Sequence, residues 1–243
     1  MKILGLNQLW AAITAQAQLD WQVSPRAVAL LLAAPFIAAF VVAGINLGYK
    51  PLIIFLEQED GFFEWLQVLS FASAAIACGF LTRYHQVARR PLAMAANAFV
   101  CVALIFVIGE ELSWGQRLLK FQTPEVLAAA NYKQEFSVHN ITSLTDLFVL
   151  AKILVGLYGV LGAAWLLHLR KTGRDVAWRP FLLPAFLVSP FIIVLIMRFA
   201  RLTVLKSSVP AGFDEFEEAV LAVGVASFCL LAWRFESASQ RRL

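Results

Sequence analysis

Leu92-Ala-Met-Ala-Ala-Asn-Ala-Phe-Val-Cys-Val-Ala-Leu-Ile-Phe-Val-Ile108 runs without interruption into Gly109-Glu110-Glu111-Leu112-Ser113-Trp114-Gly115-Gln116-Arg117. The first part is uncharged and has the length of a transmembrane helix, which needs about 20 apolar residues. The second part sets two adjacent carboxylates and an arginine at its end. A charge placed inside hydrocarbon costs about 3 kcal/mol or more, so ionisable residues at that depth mark functional sites by default.

Outward from this stretch the same character recurs. Of the 243 residues, 60% are hydrophobic and 15% charged, and the mean hydropathy is +0.74, which excludes an ordinary soluble domain. Apolar runs near 27–49, 62–83, 92–112, 146–168, 180–200 and 217–234 predict an all-α, polytopic membrane bundle of about six spans. Three parts follow: 1–26 as an interfacial N-terminal segment, 27–234 as the six-span domain, and 235–243 as a cytoplasmic tail. Met1 to Asp20 lacks the small-residue cleavage pattern of a signal peptide. Ile3, Leu6, Trp10, Ile13 and Ala17 instead follow the spacing of an amphipathic interfacial helix. Cys78, Cys101 and Cys229 all fall in apolar runs, where thiols behave as small hydrophobes.

Twelve of the 20 basic residues fall before span one, between spans two and three, between four and five, or after six. The positive-inside rule then predicts cytoplasmic N- and C-termini. The net charge of +4 reflects this anchoring and points to no nucleic-acid partner. Thirteen of the 16 acids crowd the opposite, outer face, and that crowding needs its own cause.

On this face Asp60, Glu64 and Gln67 share one helical stripe at i, i+4, i+7. Glu110, Ser113, Trp114 and Arg117 share another, with Glu111 about 100° away. Two neighbouring carboxylates on divergent faces can hold different protonation states, as general acid/base chemistry requires. Trp114 and Trp65 also suit the aromatic belt at a membrane interface. The connection 120–145 is predicted to lie on or re-enter the membrane, with Thr123 capping a short helix that starts at Pro124. Ser143-Leu144-Thr145-Asp146 resembles a capping pattern ahead of span four. His139 is the one histidine on this face. Lys152, inside span four, calls for a carboxylate partner, with Glu111 and Glu64 as candidates. Asp214 to Glu218 are most simply helix-dipole acids, which Arg198 and Arg201 neutralise.

The run Gly109 to Arg117 resembles the core of a family of bacterial inner-membrane proteins. That family also carries a Glu-Asp-Gly-x-x-Glu segment, here Glu59-Asp60-Gly61-Phe62-Phe63-Glu64. It further carries an Asn…Gln…Glu…His-Asn segment, here Asn131, Gln134, Glu135, His139 and Asn140. The resemblance implies a site without naming a reaction. A weaker similarity to CAAX-protease-like intramembrane enzymes departs in detail. Arg117 stands two residues late, the Phe136 to His139 spacing is one short, and no second outward histidine exists.

These features predict a carboxylate/His site at the outer leaflet, belonging to a hydrolase or transferase for a lipid, lipid-linked or membrane-peptide substrate. Glu110 or Glu111 is expected as general acid/base, with His139 assisting proton transfer. Arg117, Gln116, Asn140, Lys152 and Trp114 are expected to bind substrate. A divalent metal held by Glu64, Glu111 and His139 is a further expectation. The partners expected are membrane lipids, with a membrane-protein partner or a second copy of the chain as further candidates. The alternative is a non-catalytic transport, assembly or accessory subunit.

Overall fold

The computed structural model describes residues 5–174, 176, 179–203 and 213–240. It is all-helical apart from one isolated bridge between Asn131 and Ile141. In chain order the helices are α1 (Leu6–Trp21), α2 (Pro25–Gly48), α3 (Lys50–Glu57), α4 (Phe62–Val87), α5 (Pro91–Glu111), α6 (Gln116–Leu119), α7 (Glu125–Ala130), α8 (Thr145–Thr172), α9 (Ser189–Thr203) and α10 (Asp214–Gln240).

Their ends follow local chemistry. Ser24 caps α2 by accepting the Ala27 N–H at 3.3 Å, with Pro25 at the first helical position, where a missing N–H costs nothing. Pro91 opens α5 in the same way. Gly173, at φ 64°, closes α8.

Five described helical segments are long and apolar enough to cross a membrane: Pro25–Gly48, Lys50–Val87, Pro91–Glu111, Thr142–Thr172 and Asp214–Ala238. Burial ranks them. The apolar windows of α4 and α10 are 44% buried, and those of α2 and α5 only 11%. The first two therefore form the centre, and the second two present Phe40, Leu47, Phe99 and Val102 outward, as helices facing lipid do. The sixth apolar run, 180–200, is not one straight helix. Arg179–Leu187 and Ser189–Ala200 pass the length test only as a pair bent by 81°. Pro184 and Pro190 flank the bend, and each lacks the N–H that a continuous helix would use.

Among the described residues four clusters make the core, the smallest being Leu166 and Leu169 of α8 with Leu182 of the bent segment. The largest joins α1, α2, α8, the bent segment and α10 through Ala17, Val28, Leu183, Phe186, Phe191 and Val194. A second, around Ala74, Cys78, Ala222 and Cys229, joins α4, α5 and α10. The third joins α2, α3, α4 and α10 through Ile53, Phe63 and Phe216.

In helix α1, Ile13, Gln16 and Ala17 are buried against the rest of the protein, and Leu6 and Trp10 are exposed. Gln16 Oε1 accepts the Ala185 N–H at 2.9 Å, and Ser189 Oγ donates to the Leu31 carbonyl at 3.0 Å. Side chains thus satisfy backbone groups near the bend.

On α8, Gly156 and Gly159 face α9. A Cβ on Gly159 would stand 2.3 Å from the Phe191 ring, so the contact exists because the side chain is absent. Gly159→Leu is expected to cost about 1–3 kcal/mol by overpacking. Unfolding in detergent micelles checks this, and an unchanged midpoint contradicts it.

Asp20 takes Arg170 at 2.6 Å and Arg179 at 3.1 Å, Trp21 packs on Phe235, and Arg90 meets Glu236 at 3.8 Å. One end of the bundle therefore gathers the C-termini of α1, α8 and α10. The opposite, acid-rich end gathers the N-termini of α4, α8 and α10 with the C-terminus of α5.

Candidate functional site

The acid-rich end is built around the reversal that follows α5. The helix stops at Glu111, and Ser113, Trp114 and Gly115 take φ values of 45°, 52° and 81°. Residues 110 to 117 therefore share no continuous stripe, contrary to the expectation from spacing. Non-glycine residues in this region cost about 1–3 kcal/mol each and persist only when their surroundings hold them. Here the Trp114 indole N–H donates to Glu110 Oε1 at 2.6 Å. Its ring covers Gly109, where a Cβ would lie 2.9 Å from ring carbons.

Glu110 is 3% exposed and saturated. Besides the indole, its Oε2 accepts the backbone N–H groups of Val138 at 2.6 Å and His139 at 2.8 Å, with His139 Nδ1 at 3.3 Å. This carboxylate thereby fastens the 131–141 connection to α5.

That connection organises itself around buried Asn131. Its amide donates to the carbonyls of Glu135 (2.9 Å) and Ser137 (2.8 Å), and its oxygen accepts the Lys133 N–H at 2.9 Å. Asn140 donates to Ser137 Oγ at 3.1 Å and Glu135 Oε2 at 3.3 Å. Gln116 accepts the Phe136 N–H at 2.7 Å and donates to Thr123 Oγ1 at 2.7 Å. Thr123 does not cap α7, because its hydroxyl donates to the Gln134 carbonyl at 2.8 Å and Pro124 is the cap residue. Asp146 and Ser143 form no capping box either: Leu144 occupies the cap position of α8, without a side-chain bond.

Arg117 is the second hub. Its guanidinium grips both oxygens of buried Glu64, meets Asp60 Oδ1 at 3.3 Å and donates to the Glu111 carbonyl at 2.6 Å. Burial disfavours its charge, but the Glu64 hydrogen bond and the Glu64 and Asp60 charges raise its pKa above the ordinary value. Lys133 behaves alike, raised against burial by Glu215, Glu135 and Glu59. Glu135 is pushed up by burial and by Glu59, against the pull of Lys133, Ser113 and Arg117.

Glu111 is different. Its half-buried carboxylate receives no hydrogen bond from a described side chain, and its oxygen lies within 4.8 Å of carboxylate oxygens of Glu215 and Glu218. Gln67, fully buried, donates to Glu215 Oε2 at 2.9 Å. Lys152 ion-pairs with Glu218, not with Glu111 or Glu64 as expected, since Glu64 is held by Arg117. One turn away, Arg198 donates to Glu217 Oε1 at 2.7 Å and meets Asp214 at 3.3 Å. The side chain of Arg201, the other cation expected here, lies outside the described residues.

The expected metal set of Glu64, Glu111 and His139 does not converge. Among the described residues the one group of three close ligands is Glu111, Glu215 and Glu218. Glu64 and His139 are committed to Arg117 and Glu110. Spacing had assigned Glu215 and Glu218 to the helix dipole alone, and only the proximity of α10 to the end of α5 reveals their second association.

Burial pushes the His139 imidazole below its ordinary pKa, and the attraction of Glu110 does not offset it. The 3.3 Å contact is therefore a neutral N–H donating to a carboxylate. With the folded pKa below the unfolded value, the unfolded chain binds the extra proton. Stability is then full above about pH 6.5 and falls as pH drops through the folded pKa. Unfolding midpoints measured between pH 5 and 7.5 are expected to show this slope, and His139→Gln to flatten it.

No family model, no curated protein and no solved structure matches this chain.

Proposed function

We propose that the chain is a multi-pass protein of a bacterial inner membrane, with six spans if the bent pair counts as one, and with both termini cytoplasmic. In this reading the acid-rich end opens at the outer leaflet and works on a lipid, lipid-linked or membrane-peptide substrate by hydrolysis or group transfer. Five apolar segments support the membrane setting, and the distribution of basic residues supports the orientation.

The observation that supports a reactive site most is the contrast between two adjacent carboxylates. Glu110 is saturated with donors, whereas Glu111 has none among described side chains and stands beside two further acids. Glu111 is the reacting carboxylate in this reading, with Lys152 and Glu218 beside it. Glu110 orients His139, whose neutral ring is suited to passing a proton. Arg117, Gln116, Asn140 and Trp114, expected from sequence to touch substrate, serve as the frame that holds Glu111 in place.

Lipid profiling of a deletion strain, complemented by wild type or by Glu111→Gln, tests this. Loss of a reacting carboxylate is expected to lower the rate by about 10²–10⁴, leaving the deletion profile uncorrected. Full correction by the variant at equal expression overturns the reading.

A further inference from the structure

Cys78 on α4 and Cys229 on α10 are both buried, and their sulfurs stand 3.5 Å apart. Along the chain they are 151 positions apart, and their apolar surroundings mark each only as a small hydrophobe. The helices bring them together. From the acid-rich end α4 and α10 run in the same direction, and the two cysteines lie at matched depth along them. These are the two most buried spans, so the sulfurs meet near the centre of the bundle.

The seam around the pair is made of small side chains. Ala74 and Ala77 on α4 and Ala222 and Ala226 on α10 are buried in the same cluster. Side chains of that size let two helix backbones approach closely. Close approach is what a disulfide demands, since its Cα atoms lie about 4.4–6.8 Å apart. The third thiol is placed differently. Cys101 on α5 is only half-buried and donates to the Ala75 carbonyl at 3.4 Å, so its contact is with backbone.

We propose that Cys78 and Cys229 are a redox pair, which a small uncharged oxidant of the hydrogen peroxide class converts into a disulfide tying α4 to α10. One thiol sulfur attacks a peroxide oxygen. The S–O bond forms, the O–O bond breaks, and the thiol proton leaves with the second oxygen as water. The other sulfur then displaces the sulfenic hydroxyl, which departs with that cysteine's proton as a second water. Two thiols and one peroxide thus give one disulfide and two waters, with sulfur oxidised and peroxide reduced. Closing the sulfurs from 3.5 Å to a bonded length of about 2.0 Å asks for a shift of about 1.5 Å, shared between two side chains. Burial selects the oxidant, because a bulky charged reagent such as oxidised glutathione cannot enter the seam. Nearer the acid-rich end the same two helices carry Gln67 and its partner Glu215, so the bond would fix the register of the elements beneath that contact. The pair stands apart from the reaction proposed at Glu111 and holds or fails without it.

The test treats the full-length protein in detergent with excess hydrogen peroxide overnight, then unfolds it, alkylates the remaining thiols with a maleimide and counts them by mass spectrometry. Wild type is expected to lose two of its three thiols and to yield peptides joined through Cys78 and Cys229 that dithiothreitol separates. Its unfolding midpoint is expected to rise by about 5 °C or more, because the bond closes a long loop. Cys101→Ala is expected to form the same bond, whereas Cys78→Ala and Cys229→Ala form none and gain no midpoint on treatment. Treated wild type that keeps all three thiols overturns the proposal. So does a bond that includes Cys101, or conversion of single cysteines to sulfinic acid without a link. The wild-type measurement decides by itself, so a cysteine variant that fails to fold leaves the test intact.

Discussion

Glu110→Ala is expected to destabilise the protein by about 3–5 kcal/mol, because three buried donors lose their acceptor at about 1–3 kcal/mol each, with partial relaxation. Those donors are the Trp114 indole and the N–H groups of Val138 and His139. Losing them frees the 131–141 connection from α5 and removes what holds Ser113 and Trp114 in their left-handed backbone. Amide exchange at Val138 and His139 is expected to accelerate with the drop in midpoint. Glu111→Gln, one residue away, is expected to melt no lower than wild type, since it gives up no hydrogen bond and relieves repulsion from Glu215 and Glu218. Equal melting of Glu110→Ala and wild type contradicts the fastening role of Glu110.

The second large effect lies at Arg198. Its side chain is 5% exposed and that of its partner Glu217 1%, so Arg198→Ala leaves a buried carboxylate without its ion-pair partner, at about 3–5 kcal/mol. The double variant Arg198→Met/Glu217→Leu removes both charges and keeps the volume, and is expected to recover most of the loss. Chemical unfolding of the three proteins decides it. A single variant within 1 kcal/mol of wild type, or a double variant as weak as the single, refutes the buried pair.

Most of the architecture was legible from composition and periodicity, because crossing hydrocarbon imposes length and apolarity directly on the chain. Five of the apolar runs became helices of the expected extent, within a few residues. The run 180–200 was equally apolar, but Pro184 and Pro190 bend it, and hydropathy is blind to that. Helix α3 fell between the first two predicted runs, in eight residues too short to register as a span of their own.

At the site, the 100° separation of Glu110 and Glu111 foretold that their surroundings would differ. Which of the two would be consumed by hydrogen bonds depended on the reversal at Ser113–Gly115, whose backbone angles are held by tertiary contacts. Lys152 needed an acid, as its depth implied. That the acid is Glu218 follows from how α8 meets α10, and nothing in the spacing of either helix encodes it. The burial of Gln16 is equally invisible to spacing, because its side chain serves the backbone of Ala185, far along the chain.

That last contact has a bearing on biogenesis. Gln16 and Ala185 stand 169 positions apart, so a peptide group in the broken segment waits on a partner synthesised long before it. An isolated fragment spanning α8 to α10 would insert with that group unquenched by its natural partner. Maturation of the bent segment is therefore coupled to correct seating of α1.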